Sequence, residues 1–292
     1  MRYHLIVLSL LLITMTNIAQ EDTPSVEERI AETLASGDVI LSLYQSDLSA
    51  VPLAIIDLTQ LEVLELSGNQ LSELPDDLSQ LVNLRDLSLA DNQLTQFPDV
   101  ILQLPHLERL TLAGNQLTAL PDDLSALSNL KAINLRGNPL DTFPIGITTL
   151  PSLTDLNLTN TDLEAIPPDI QALTTLQALL LDNNQLNTLP SQMSALQNLR
   201  DLSLSSNQFD DVPQVIAALA NLRFITLTGN PLTDVPNEVN MFNPQAIIEY
   251  AQTPRSYWIQ NATLSGIFVL GALSLVIIYW QWHKNRRAIS RI

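Results

Sequence analysis

The chain has no cysteine and few positive charges, and both shortages exclude classes of function. Without cysteine it forms no disulfide, no thiolate metal site and no cysteine nucleophile. All 31 carboxylates lie between residues 21 and 249, where only 7 Lys and Arg residues accompany them, so this middle part carries a net charge of −24. A field of that sign repels nucleic acid, and we expect no nucleic-acid partner.

Catalysis and bound cofactors also find little support in the composition. The three histidines, His4, His106 and His283, stand near the start, in the middle and near the end of the chain, so we expect them to form no shared site. Paired aspartates such as Asp122 and Asp123 could hold calcium, but no DxDxDG loop accompanies them. We interpret them as carboxylates at the start of short helical segments, and predict no metal, no cofactor and no enzymatic activity.

Residues 1–19 have the layout of a secretory signal peptide. Arg2 and His4 precede an apolar stretch over residues 5–15, and Ala19 provides a small residue at the predicted cleavage site. An uncleaved membrane anchor is the alternative.

A second apolar segment near the end of the chain predicts a transmembrane helix over residues 257–282. It contains no charged residue and exceeds the roughly 20 residues that cross a bilayer. Tyr257 and Trp258 at one end and Trp280 and Trp282 at the other suit the two interfaces, and a cationic tail follows at 283–292. A buried core helix is the alternative. We therefore expect a single-pass plasma-membrane protein whose repeats lie outside the cytoplasm and whose tail lies inside.

The middle of the chain repeats with a period of 23 residues and no insertion. Positions 1, 4, 6, 11, 14, 18 and 21 of each unit are apolar, with Asp38 as the one exception. Position 15 is always proline, and position 9 is asparagine except at Ser46 and Thr161. We interpret Thr161 as tolerated variation, and a functional role is the alternative. The units begin at Asp38, Leu61, Leu84, Leu107, Leu130, Leu153, Leu176, Leu199 and Leu222.

The pattern LxxLxLxxNxLxxLPxxLxxLxx resembles that of leucine-rich repeat proteins. The LP pair is similar to the Ras-group and disease-resistance type found in bacterial Roco proteins. The resemblance implies an α/β repeat fold, a right-handed solenoid with a parallel sheet on its concave face. It does not imply a GTPase, because no GxxxxGK[ST] motif occurs.

The spacing within a unit predicts the same architecture. In LxL the two leucines of a short strand point inward, and one unit cannot bury them alone, so stacked units share a core and need covered ends. We predict a helical N-terminal cap at 20–37, nine repeats at 38–244, and a C-terminal cap and linker at 245–256. The buried amide at position 9 bonds to turn backbone groups and forms a structural ladder: Asn69, Asn92, Asn115, Asn138, Asn184, Asn207 and Asn230.

The concave face is the predicted binding site, because its outward positions 3, 5 and 7 vary while the frame is constant. The candidate residues are Glu65, Asp86, Arg109, Asn134, Arg136, Asp155, Asn157, Asp182 and Asp201. An acidic patch at Asp155, Asp182 and Asp201 suits a cationic peptide or a sugar, and a merely solvated face is the alternative.

The sequence thus predicts a non-catalytic, membrane-anchored surface protein that binds a protein, peptide or polysaccharide partner. A structural or adhesive coat protein that self-associates is the alternative, and a surface hydrolase is a third. Extracellular repeats of animals usually have cysteine-bonded caps, so their absence favours a bacterial cell surface.

Overall fold

The structure is a computed structural model that describes residues 24–233, 235 and 243–253. The predicted signal peptide (1–19), transmembrane helix (257–282) and cytoplasmic tail (283–292) lie outside the described residues, as do residues 20–23 and 254–256 of the predicted caps. In the described part of the chain no helix is long and apolar enough to cross a membrane.

Nine three-residue strands form one parallel sheet whose spatial order follows the chain. Each residue pairs with the residue 23 positions later, as Leu64 does with Leu87. The strands are β1 (Ile40–Ser42), β2 (Val63–Glu65), β3 (Asp86–Ser88), β4 (Arg109–Thr111), β5 (Ala132–Asn134), β6 (Asp155–Asn157), β7 (Ala178–Leu180), β8 (Asp201–Ser203) and β9 (Phe224–Thr226). The strands fall at positions 3 to 5 of each unit, in agreement with the alternation in the sequence.

One face of this sheet is buried and the other is open. The middle residue of each strand enters the core, as Leu87 does with no exposed surface, while its neighbours Asp86 and Ser88 stay partly exposed. Burying a leucine side chain contributes about 1.5–3 kcal/mol, and each unit buries several against the next. We call the exposed positions 3, 5 and 7 the open sheet face. It is the face predicted to be concave.

Proline at position 15 sets the start of the return segment on the other side of the core. Its ring holds φ near −65° and it donates no backbone N–H, which suits the residue before a helical turn. Five-residue 3-10 helices follow, each with a buried residue at position 18. They span Leu53–Asp57, Asp76–Gln80, Asp99–Gln103, Ile145–Thr149, Pro168–Ala172, Ser191–Ala195 and Gln214–Ala218.

The fourth unit has no 3-10 helix in this place. The backbone N–H of Leu124 donates instead to Thr149 Oγ1 at 2.9 Å, in the following unit. Gly146 fits there because a Cβ at this position would overlap the carbonyl oxygen of Pro121. The fourth and fifth units therefore pack more closely than a side chain at position 146 would allow.

The asparagine ladder joins neighbouring units through backbone groups. Asn115 is typical: its Nδ2 donates to the carbonyls of Leu89 in the preceding unit (2.9 Å) and Leu112 in its own (3.0 Å). Its Oδ1 accepts from the backbone N–H of Leu94 at 3.0 Å. The other six ladder residues bond in the same pattern, and all seven are buried except Asn230, which is partly exposed.

The two units without a ladder asparagine keep only part of this bonding. Thr161 donates from its hydroxyl to Leu158 of its own unit at 2.7 Å, but only its backbone carbonyl bonds to the preceding unit, where it accepts from the N–H of Asp141 at 3.2 Å. Asn184 of the next unit compensates, since its Oδ1 accepts from the N–H groups of both Thr161 (3.2 Å) and Leu163 (3.0 Å). Asn69 accepts in the same way from the unit that contains Ser46.

The turn before the ladder position is left-handed in every unit. Nine residues at position 8 have φ between 49° and 75°, a region that glycine, asparagine and aspartate tolerate best. They are Gln45, Gly68, Asp91, Gly114, Gly137, Asn160, Asn183, Ser206 and Gly229. In the two units that lack the ladder asparagine, position 10 is also left-handed, and it is aspartate in both: Asp47 and Asp162.

A second ladder, which the sequence reasoning missed, runs along the opposite side of the units. Position 23 of one unit donates to the carbonyl at position 22 of the preceding unit, as Asn129 does to Pro105 at 2.8 Å. Asn83, Ser152, Asn198 and Asn221 repeat this bond. The signal was a polar residue recurring every 23 positions just before each apolar position 1.

A helix lies at each end of the described stack. The first, α1 (Val26–Ser36), begins with a capping box between Ser25 and Glu28 and ends at left-handed Gly37, and it contacts β1. Arg29 on this helix donates to the Ser42 carbonyl (3.1 Å) and to the Ser46 hydroxyl (2.6 Å). Both acceptors belong to the first repeat.

The second helix, α2 (Pro244–Gln252), packs against the 3-10 segment at Gln214–Ala218 and against β9. Ile247 on this helix is fully buried, and the Tyr250 hydroxyl donates to buried Asp211 at 3.1 Å.

Replacing a ladder asparagine should destabilise the protein far more than replacing an outer one. Asn115→Ala leaves the buried N–H of Leu94 without this acceptor and removes one of two donors from the carbonyl of Leu89, which keeps Asn92, so we expect a loss of about 2–4 kcal/mol in the free energy of unfolding. Asn129→Ala, whose bond is exposed, should cost under about 1 kcal/mol. Urea unfolding followed by circular dichroism measures both, and equal losses would contradict the proposed role of the buried ladder.

Candidate functional site

All nine residues predicted for the binding site lie on the open sheet face. Position 3 carries Asp86, Arg109, Asp155 and Asp201, position 5 carries Glu65, Asn134 and Asn157, and position 7 carries Arg136 and Asp182. Parallel strands lie about 4.8 Å apart, so each row places neighbouring side chains within reach of one another. The structure therefore brings the candidates together on one surface, but several of them form hydrogen bonds or ion pairs with other residues of the chain.

Arg109 is paired with Asp86 on the neighbouring strand. Its Nε lies 2.8 Å from Asp86 Oδ2, and this hydrogen bond, followed by the charge of Asp86, raises the pKa of the Arg109 guanidinium. The opposite charges of Arg109 and Asp86 neutralise each other, so neither residue offers an unpaired charge to a partner.

A chain of ion pairs that the sequence reasoning missed runs beside this row, at position 2. Arg85 Nη1 lies 2.7 Å from Glu108 and its Nε lies 3.6 Å from Glu62, while Lys131 Nζ lies 2.6 Å from the other oxygen of Glu108. Hydrogen bonds from Lys131 and then Arg85 lower the pKa of Glu108. The alternation of sign every 23 residues could have revealed this chain.

Three of the candidates at position 5 hold the backbone of their own unit. Glu65 Oε1, Asn134 Oδ1 and Asn157 Oδ1 each accept from the N–H two residues later, at 2.7, 3.1 and 3.0 Å. In the two asparagines this bond fixes the orientation of the amide, so its Nδ2 group is left for other acceptors.

Asp182 belongs to a hydrogen-bonded network on the open sheet face. Its Oδ1 accepts from the hydroxyl of Ser203 (2.6 Å) and from the backbone N–H of Ser205 (2.7 Å). Ser203 in turn shares a hydrogen bond of 2.7 Å with Thr226. The predicted patch of Asp155, Asp182 and Asp201 thus contains one carboxylate that holds adjacent strands in place and two that do not.

Asp155 and Asp201 are exposed and form no ion pair in the described part of the chain. Asp155 accepts a hydrogen bond from the hydroxyl of Thr154 at 2.6 Å. It lines a hollow of about 300 Å³ over β4 to β7, which also includes Ala132 and Ala178. The small side chains on both sides of Asp155 create this depression in an otherwise filled row.

The open sheet face carries groups that can form hydrogen bonds and ion pairs with a partner. Among the described residues no group of three or more His, Cys, Asp or Glu side chains is placed to hold a metal ion. His106 is exposed at the end of a return segment, away from the open sheet face. The face offers hydrogen-bond donors, hydroxyls and the exposed carboxylates of Asp155 and Asp201 in an open arrangement.

Comparison with known families agrees with this architecture. The profile described as "Leucine rich repeat" matches residues 84–140, 105–163 and 174–232, and that described as "Leucine Rich repeats (2 copies)" matches residues 59–102. The chain carries leucine-rich repeats. Among curated protein sequences, none matches the chain significantly.

Solved structures with similar folds include bacterial and plant proteins. A leucine-rich repeat protein of Leptospira interrogans is 32% identical with a TM-score of 0.60, and the match covers 68% of this chain and 57% of that protein. Internalin C2 of Listeria monocytogenes is 28% identical with a TM-score of 0.55, over 65% of this chain and 80% of the internalin.

A plant receptor is also similar. The leucine-rich repeat ectodomain of the receptor kinase GASSHO1/SCHENGEN3 from Arabidopsis thaliana, solved in complex with CASPARIAN STRIP INTEGRITY FACTOR 2, is 28% identical with a TM-score of 0.50. The match covers 62% of this chain and 26% of the ectodomain. Leucine-rich repeat domains generally bind proteins or peptides, and these neighbours include a receptor ectodomain.

The ion pairs of Glu108 should make stability depend on pH in the acid range. Because its folded pKa lies below the ordinary 4.5, its contribution is present above that value and is lost as pH falls through the folded pKa. The stability advantage of the natural chain over Glu108→Gln should therefore shrink as pH is lowered below 4.5. Urea midpoints across this range measure it. Glu73→Gln, which removes an exposed carboxylate that forms no ion pair in the described part of the chain, is the control, and identical behaviour of the two variants would refute the assignment.

Proposed function

We propose that this protein is a non-catalytic, single-pass surface protein that binds a protein, peptide or polysaccharide partner through the open sheet face. The repeats belong to the Ras-group type seen in bacterial Roco proteins. Residues 1–19 direct export, residues 257–282 anchor the chain in the bilayer, and residues 283–292 remain in the cytoplasm. The helices α1 and α2 cap the two ends of the solenoid.

One observation carries the proposed binding role: the open sheet face is built on a constant frame but has groups that the frame does not use. The ladder asparagines and buried leucines repeat in almost every unit, whereas positions 3, 5 and 7 change from unit to unit. Asp155 and Asp201 have no ion pair in the described part of the chain. Exposed carboxylates that stabilise no neighbouring strand favour a role in recognition.

A self-associating coat protein is the second candidate, and exposed apolar side chains around the first repeat favour it. Leu53 is 61% exposed, Ile40 58% and Leu34 54%, and Tyr44 lies on the same unit. Ile40 and Tyr44 share the open sheet face of the first unit, at positions 3 and 7, and neighbouring exposed apolar side chains favour a contact surface there. In this alternative the partner of the chain is a second copy of itself.

Cysteine labelling can test the membrane topology cleanly, because the natural chain has no cysteine. Thr188→Cys places a thiol on an exposed repeat residue, and Ser290→Cys places one in the predicted cytoplasmic tail. A membrane-impermeant maleimide should label the first variant in intact cells and the second only after permeabilisation. Labelling of both variants, or of neither, in intact cells would refute the proposed topology.

Partner capture tests the binding face. The full-length chain in lipid nanodiscs is incubated with surface extract from its native cells, beside a face variant (Asp155→Arg, Asp201→Arg) and a control (Asp99→Arg, Asp169→Arg) with the same charge change away from that face. The natural chain and the control should retain a common partner that the face variant loses by about tenfold or more, because close charge pairs at interfaces are strongly coupled.

Asp182 stays unchanged in these variants because its substitution would disturb the strands that it holds. If all three proteins retain the same material, the open sheet face is not the binding site. If each retains only further copies of the chain, the coat protein becomes the better account.

A further inference from the structure

The hollow over β4 to β7 has the size of a subsite for one side chain. Its volume of about 300 Å³ lies at the lower limit of small-molecule sites. Along position 3, Ala132 and Ala178 leave space on both sides of Asp155, whereas Arg109 and Asp201 fill the next places in the row. The depression therefore forms because the small residues Ala132 and Ala178 alternate with larger, charged side chains in this row.

The hollow carries one uncompensated negative charge. Of the charged side chains that line it, Arg109 and Asp86 neutralise each other at 2.8 Å. Asp155 has only the Thr154 hydroxyl as a hydrogen-bond donor and no Lys or Arg within ion-pair distance in the described part of the chain. Together with the net charge of −24 over residues 21–249, this favours a cationic group in the hollow.

Two adjacent amides supply donors at the same place. Asn134 and Asn157 are register partners on β5 and β6, and each has its Oδ1 engaged by the backbone of its own unit. Their Nδ2 groups have no acceptor among the described residues and lie on strands about 4.8 Å apart. Such a pair of donors suits the carbonyl oxygens of a peptide backbone.

The rest of the lining favours a peptide over a sugar. No aromatic residue lines the hollow, so a sugar ring would find no stacking partner. Leu180, Ala132 and Ala178 present methyl groups, against which the methylene stem of a lysine or arginine side chain packs while its charged end reaches a carboxylate.

We propose that this hollow is the subsite for a lysine or arginine side chain of an extended peptide. The cation pairs with Asp155, the stem packs on Leu180 and the flanking alanines, and the peptide carbonyls accept from Asn134 and Asn157. The proposal rests on the proposed function, since it names the ligand class and the place on the open sheet face where that ligand binds.

Two synthetic peptides test the charge requirement. Both are dye-labelled, blocked at their ends and built of glycine and serine around one central residue, which is lysine in one and uncharged norleucine in the other. Fluorescence anisotropy with the full-length chain in nanodiscs should show about three- to tenfold tighter binding of the lysine peptide. Asp155→Asn should abolish this preference, and Asp169→Asn, an equal charge change away from the open sheet face, should preserve it.

A second variant tests the shape without a change of charge. Ala178→Leu places a larger side chain in the hollow and should weaken both peptides by about tenfold while leaving the unfolding midpoint nearly unchanged, because position 3 faces away from the core. Unaltered binding in this variant would show that the peptides bind elsewhere.

The inference is overturned if the two peptides bind equally, if the preference survives Asp155→Asn, or if the lysine peptide does not bind at about 10 mM, a concentration that detects even millimolar affinity. Binding of glucosamine in its place would assign the hollow to an amino sugar. The peptide subsite can be wrong while the proposed function is right. If the face variant loses the captured partner but Ala178→Leu retains it, the open sheet face is still the binding site and only the hollow is excluded.

Discussion

The structure depends on one constraint, which is that backbone groups buried at the turn after each strand must find partners. Strands of three residues leave most of each unit in turns, and the turn groups lie where water does not reach. A single amide at position 9 meets this need, since it donates to carbonyls of two units and accepts from an N–H of the preceding one. The same amide thus stabilises the turn of its own unit and joins that unit to the preceding one. This is why the period is constant over nine units and why a unit that lacks the amide depends on its neighbour, as Thr161 depends on Asn184.

The open sheet face inherits its geometry from this frame. Residues 23 apart are always neighbours, so a charge on one unit meets whatever the next unit carries at the same position. Over the first half of the sheet this produces alternating ion pairs, from Glu62 to Lys131 and between Asp86 and Arg109. After the unit that contains Lys131 and β5, no further ion pair forms in the described part of the chain, and small or unpaired residues follow. One part of the sheet therefore has its charges paired internally and the other has exposed groups without ion pairs, and this difference follows from which residues occupy the same position in neighbouring units.

Much of the fold could be predicted from the sequence because the same pattern of residues recurs in nine units. The inward leucines of LxL, the asparagine ladder and the proline before each return segment follow from spacing, and the structure has them where they were expected. The missing 3-10 helix of the fourth unit could not be predicted, since its sequence keeps the same pattern. It depends on contact between Thr149 and Leu124 across two units, and on the absence of a side chain at Gly146.

The candidate site was predictable as a surface but not as a set of available groups. Sequence position placed all nine candidates on one face. It could not tell that Asp182 at position 7 is held by Ser203 while Asp155 at position 3 forms no ion pair in the described part of the chain, because the sequence does not show which side chains of the next unit come within hydrogen-bond distance of each carboxylate. The hollow could not be predicted for a related reason. Ala132 and Ala178 leave a depression only because their neighbours in the position-3 row project outward, and the sequence alone does not show this.

Arg29 has a consequence for how long such a stack can grow. The first strand has a partner on one side only, and an open strand of this kind is a template on which another chain can add. Arg29 occupies the Ser42 carbonyl on that strand and bonds to the Ser46 hydroxyl, at the cost of a buried Nε that has no partner of its own among the described residues. Another strand that added at this edge would therefore have to displace the Arg29 guanidinium from two acceptors of the first unit.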